Sequence, residues 1–176
     1  MHETPSDLVA LQRLLDDSYE HAGVHLREVI TPERRLEAQA VADALVGMRL
    51  LVLSTVSADN RPVGGPVDGI FYRGSFYFGS SPDSTRFRHI THRPAVSATH
   101  LPGEELSVSV HGTAEIVDLR SAEHAGFRQT LLDVYTPRYG DGWEKFIDSG
   151  PLYARIHASK MFTFHMDPAD ASLPQS

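Results

Sequence analysis

The sequence contains no cysteine. Disulfides, thiolate metal sites and cysteine nucleophiles are therefore excluded. No run reaches the roughly 18 apolar residues that a membrane-crossing helix needs, so no spanning segment is expected. The opening residues MHETPSDLVA lack a basic stretch followed by an apolar one, so no secretory leader is read and a cytoplasmic location is expected. Positive charge is scarce: 16 Lys and Arg stand against 23 Asp and Glu, for a net charge of −7. An acidic surface is a poor match for a nucleic-acid backbone, and none is expected as a partner. There is a single tryptophan, no internal repeat and no low-complexity tract.

What is present suits one globular domain. A chain of 176 residues with 41% hydrophobic content can build a core without staples. Ten histidines are many for this length, and open two readings: a metal or haem site, or scattered surface and core residues. His89 and His92 lie three apart on one helix face, but no third ligand is apparent, so no metal site is expected.

Periodicity divides the chain. Residues 5–22 read as a helix, with leucines 8, 11, 14 and 15 at helical spacing and Ser6 as its cap. Residues 31–46 read as a second helix, capped by Thr31, with Pro32 in its first turn and Gly47 at its end. From Met48 the pattern becomes extended. Leu50–Val56, Val63–Tyr72 and Ser75–Ser80 read as three strands joined by turns at Asp59–Pro62 and Arg73-Gly74. A short helix over 84–92 stops before Arg93-Pro94. Strands follow at Ala95–Leu101 and Leu106–Val117, the latter carrying Val108, Val110, Gly112, Ala114 and Ile116 on one face. Ser121–Val134 reads as a helix, Gly140–Ile147 as a short turn and helix around Trp143, and Tyr153–Met166 as the last strand. The expected fold is mainly β with helices, a six-stranded barrel. Its parts are a helical arm (1–47), the main barrel strands (48–118), a helical insertion (119–150), a last strand (151–167) and a polar tail (168–176).

The stretch Gly79-Ser80-Ser81-Pro82-Asp83-Ser84-Thr85-Arg86 leaves a strand, turns, and enters a helix. Helix N-termini present unpaired N–H groups and a partial positive charge. With serine and threonine hydroxyls and a guanidinium added, the segment can hold a phosphate. It can equally be a plain helix start, capped by Ser81 or Asp83, and the local residues leave both readings open. His111, beside Gly112, and the aromatic group Tyr135, Tyr139 and Trp143 are similarly double: ligand contacts on one reading, packing or a barrel plug on the other.

The order of these segments resembles that of the pyridoxamine 5′-phosphate oxidase-like FMN-binding split barrels. The resemblance rests on Leu51–Thr55, Asn60-Arg61-Pro62, Gly65-Pro66-Val67, Phe76–Ser80, Ser84-Thr85-Arg86, Arg93–Val96, Val110–Ala114 and Tyr153–Ile156, and covers roughly residues 48–166. It implies a split barrel that pairs into a homodimer with the cofactor at the interface. It implies an FMN phosphate held by Ser80, Ser81, Ser84, Thr85 and Arg86, and an isoalloxazine ring along Gly65, Pro66 and Val67. A lysine is common in the family where Arg86 stands here, and an asparagine where His89 stands; the vitamin B6-binding residues are not recognisable. The implied activity is that of an FMN-dependent oxidoreductase acting on a small molecule. Related branches imply alternatives: a deazaflavin (coenzyme F-420), with Arg61 and Arg88 as added cations, haem with His89, His92, His111 or His165 as ligands, or flavin binding without turnover.

Overall fold

The structure, a computed structural model, describes residues 2–167. The polar tail expected over 168–176 lies outside them. Six antiparallel strands close a barrel: β1 (Met48–Val56), β2 (Pro62–Tyr72), β3 (Ser75–Ser80), β4 (Ala95–His100), β5 (Leu106–Val117) and β6 (Leu152–His165). Their order around the barrel is β1-β2-β3-β6-β5-β4, with β4 returning to β1. Leu51, Leu53 and Thr55 of β1 point inward and are buried, while Leu50 and Val52 between them face out, which is the two-residue period of a strand. Direct cross-strand partners share a face, so Leu53 and Gly65 lie inside and Val52 and Pro66 outside.

Two local devices set the register. Arg73 and Gly74 both adopt positive φ, 49° and 76°, the two-residue hairpin turn whose twist matches its strands. Arg73 is no glycine, but its guanidinium is held by Asp7 at 3.1 Å. Between His111 and Gly112 the β5–β6 register shifts by a bulge. A Cβ at Gly112 would lie only 2.0 Å from the His157 carbonyl oxygen, so this close approach requires glycine. Of the residues expected to share one face of β5, Val108, Val110 and Ala114 are buried, whereas Ile116 is 40% exposed.

The N-terminal helices differ most from expectation. Helix α1 (Pro5–Glu20) starts at Thr4, not Ser6; Thr4 and Asp7 form a reciprocal capping box. A helix α2 (Val24–Val29), not anticipated, follows. The continuous helix expected over 31–46 is absent. A 3-10 turn (Pro32–Arg34) is followed by extended Arg35 and then by α3 (Ala38–Ala44). Tertiary hydrogen bonds explain the break: the Leu36 N–H donates to Thr163 Oγ1 and the Ala38 N–H to Gln12 Oε1.

Helix α1 covers an opening in the barrel wall. Strand β6 pairs with β3 only from Leu152 to Arg155. Farther along β6, Ser18 Oγ accepts the Met161 N–H at 2.9 Å, and Tyr19 Oη accepts the Thr163 N–H while donating to its carbonyl, both at 2.7 Å. An unpaired sheet edge is thereby satisfied by side chains of the same chain. Leu11, Leu15 and Tyr19 join Val41, Leu45 and the barrel interior in one core.

A second core lies outside the barrel. Helix α5 (Ala125–Tyr139), preceded by a 3-10 turn from Ala122 to His124, runs past the expected end at Val134 and contains Pro137. With α6 (Gly142–Asp148) it packs on Ile70, Tyr77, Val117 and Tyr153. Arg128 ties the two helices together through Glu144 and Asp148.

Candidate functional site

Helix α4 (Thr85–His92) closes one end of the barrel. Its apolar side, Phe87 and Ile90, is buried in the main core. Ser84, rather than Ser81 or Asp83, is the cap: its Oγ accepts the Phe87 N–H at 3.4 Å. Ser81 holds the preceding turn, its carbonyl accepting the Ser84 N–H and its Oγ the Asp83 N–H. The chain reaches this turn directly from Ser80 at the end of β3.

Arg86 points back to the glycine-rich strand. Its Nη2 donates to the Pro66 carbonyl at 3.0 Å, and a Cβ at Gly65 would sit 3.8 Å from the same nitrogen. Burial lowers the tendency of this guanidinium to hold its charge. A guanidinium has five N–H donors, so a bond to Pro66 leaves capacity for an anion. Val67 turns its side chain into the core and Pro66 turns outward, beside exposed Leu50 and Val52. Ser80, Ser81, Ser84, Thr85, Arg86 and Gly65–Val67 are thus drawn to one end of the barrel. Thr85 is paired with Arg88 Nη2 at 3.2 Å.

Arg61 is not drawn in. It is an exposed residue in the β1–β2 turn and pairs with Asp59 at 2.7 Å. The Ser57 hydroxyl and this arginine hold the Asp59 carboxyl below its usual range. The histidines are dispersed. His89 Nδ1 meets the Thr55 hydroxyl at 2.9 Å, His92 Nδ1 the Arg88 carbonyl at 3.1 Å, and His111 Nδ1 the Ser97 hydroxyl at 2.8 Å. Among the described residues no three His, Asp or Glu gather as a metal site, and no helix is long and apolar enough to cross a membrane.

A cavity of about 200 Å³ adjoins this end, between the outer face of β2, β3 and β6 and the helices α5 and α6. Sequence reasoning singled out Tyr135, Tyr139 and Trp143 but missed Asp68, Tyr77 and Tyr153. These aromatics lie on the barrel's flank rather than plugging its end: Tyr135, Tyr139 and Trp143 form a stack with centroids 4.6 to 6.0 Å apart. Tyr135 Oη donates to Asp68 Oδ2 at 3.3 Å. Burial, then the Asp68 charge, push the Tyr153 phenol up to about 12 and raise the Tyr135 phenol as well. Trp143 Nε1 is buried without a hydrogen-bond partner among the described residues. Asp68, Tyr77 and Tyr153 carry no local signal: they sit on three different strands, and only the barrel and α5 bring them together.

The model of the pyridoxamine 5′-phosphate oxidase family matches residues 38–148, spanning β1 to β5, α4, α5 and α6. The chain belongs to this family, and its fold is the family's split barrel. A conserved hypothetical protein of Mycobacterium tuberculosis is similar, with a TM-score of 0.64 at 17% identity, covering 82% of this chain and 94% of that one. An FAD-binding protein of Mesorhizobium loti matches with a TM-score of 0.57 at 21% identity, over 74% and 93% of the two chains. HutZ, the haem storage protein of Vibrio cholerae, gives 0.57 at 17% identity, over 74% and 94%. No curated protein sequence matches significantly.

Proposed function

We propose that the protein is an FMN-dependent oxidoreductase that holds the cofactor phosphate at the Ser80–Arg86 turn. The carrying observation is Arg86: its guanidinium leaves the first turn of α4 and lies against Pro66 and Gly65. The donor set fits a phosphomonoester. It combines serine and threonine hydroxyls, a helix N-terminus and a planar guanidinium. A flavin, when bound, supplies electron or hydride transfer; the protein's task is to bind and orient it and to exclude water.

In this reading Arg86 contacts the phosphate and links it to the strand that lies under the ring. Gly65 leaves room beside that guanidinium, and Pro66 offers an apolar edge toward the ring. Leu50 and Val52, 61% and 56% exposed, continue that apolar edge. A second copy of the chain covers this strip and closes the cofactor in, as the family resemblance implies. Flavin-binding proteins such as that of Mesorhizobium loti share the fold, which supports the reading.

A deazaflavin is the second reading, favoured by Arg88, whose Nη2 reaches Thr85 Oγ1 at the start of α4, a cation suited to a longer acidic tail. Haem, bound by the Vibrio cholerae protein, would need ligands from histidines now spread over α4 and β5. The visible spectrum of the purified protein, followed by release of the chromophore, separates these. Flavin bands and released FMN support the proposal. A Soret band, or a preference for the deazaflavin over FMN in titration, overturns it.

A further inference from the structure

The flank cavity has a chemistry of its own. Its walls are aromatic: Tyr77 and Tyr153 from the sheet, Tyr135 from α5 and Trp143 from α6. Among the described residues lining it, Asp68 alone carries a formal charge. No arginine or lysine lines the cavity; the Asp68 carboxylate is met there by the Tyr135 hydroxyl. A carboxylate in an aromatic-lined cavity attracts a cation by its charge, and a ring face turned toward the ligand adds to that attraction. An anionic ligand has no counter-charge here.

Size limits the ligand further. An apolar cavity of about 150 Å³ accommodates benzene, so about 200 Å³ suits a molecule of one or two rings. Stacked walls favour a flat one.

The geometry points to a binding site for a small planar organic cation, with one or two aromatic rings and its positive nitrogen facing Asp68. This site is distinct from the phosphate-binding turn, although Ser80 and Ser81 border both. That the cation is the substrate, lying beside the flavin ring, rests on the flavin reading; its chemical class does not.

The test uses the full-length chain and two probes with the same rings, N-methylquinolinium and neutral quinoline, at neutral pH. Calorimetry gives the affinities. Trp143 is the only tryptophan, so its emission reports occupancy of this cavity without a label. The cation is expected to bind about tenfold or more tighter than quinoline and to shift the Trp143 emission. Asp68→Asn should abolish that preference while quinoline binds as before. Equal affinities in the unaltered chain, no saturable binding of either probe, or a preference that survives Asp68→Asn overturns the inference. The unaltered-chain comparison stands even if the variant fails to fold. FMN is titrated into the same preparation. FMN binding without cation preference defeats this inference alone, and cation preference without FMN binding defeats the flavin reading alone.

Discussion

The barrel end under α4 and the flank under α5 and α6 are neighbours built on opposite plans. The α4 end leans on backbone features, a helix start, glycine, proline and a carbonyl, joined by the half-buried guanidinium of Arg86. The flank uses side chains: rings from two strands and two helices surround one carboxylate of a third strand. A backbone site accepts a feature that many ligands share, such as a phosphate. A side-chain pocket can change its ligand by a few substitutions on an unchanged barrel.

If the two regions are separable, damage to one should spare the other. The largest effect is expected from Phe127→Ala. Phe127 is 1% exposed, stacks on Tyr77 at 4.0 Å and anchors α5 to the sheet. Its truncation should cost about 3–5 kcal/mol of unfolding free energy. FMN affinity, measured where the variant is folded, should stay within about twofold. Next is Arg86→Ala, which removes a charge-assisted contact of about 2–3 kcal/mol. FMN binding should weaken about a hundredfold while the denaturation midpoint hardly moves.

The flank should also fail first in alkali. The Tyr153 phenol is raised to about 12 in the folded chain from 10.0. Its raised value means that the unfolded chain loses the proton first. The associated stability is full below pH about 10 and disappears as pH rises through about 12, a loss on the order of 2 kcal/mol. Tyr153→Phe should flatten this decline in alkaline denaturation curves. The smallest effect is expected from Ser84→Ala. Losing the cap on Phe87 should cost about 1 kcal/mol in thermal or denaturant unfolding.

What could be read in the sequence follows the same division. Strands alternate with a fixed period, so β3 and β5 were expected over the residues where they occur. The turn into α4 was visible because serine, proline and the cap lie within a few residues. The expected helix over 31–46 is interrupted: Leu36, Ala40, Val41, Ala44 and Leu45 form an apolar helical face locally, yet the Leu36 N–H is taken by Thr163, 127 residues away. The role of α1 was hidden for the same reason: Ser18 and Tyr19 look like ordinary helix residues until β6 presents an unpaired edge. Asp68 and Tyr153 were invisible as a site because 85 positions separate them and only the barrel and α5 bring them together. Arg61, expected as an added cation near the cofactor phosphate, pairs instead with the nearer charge of Asp59.

The central claim is that the Ser80–Arg86 turn recognises a phosphate. Comparing FMN with riboflavin, which differ only in that group, tests it most directly. The unaltered chain should bind FMN about a hundredfold tighter than riboflavin, and Arg86→Ala should remove the difference by weakening FMN alone. Riboflavin binding as tightly as FMN, or a difference that persists in Arg86→Ala, would contradict it.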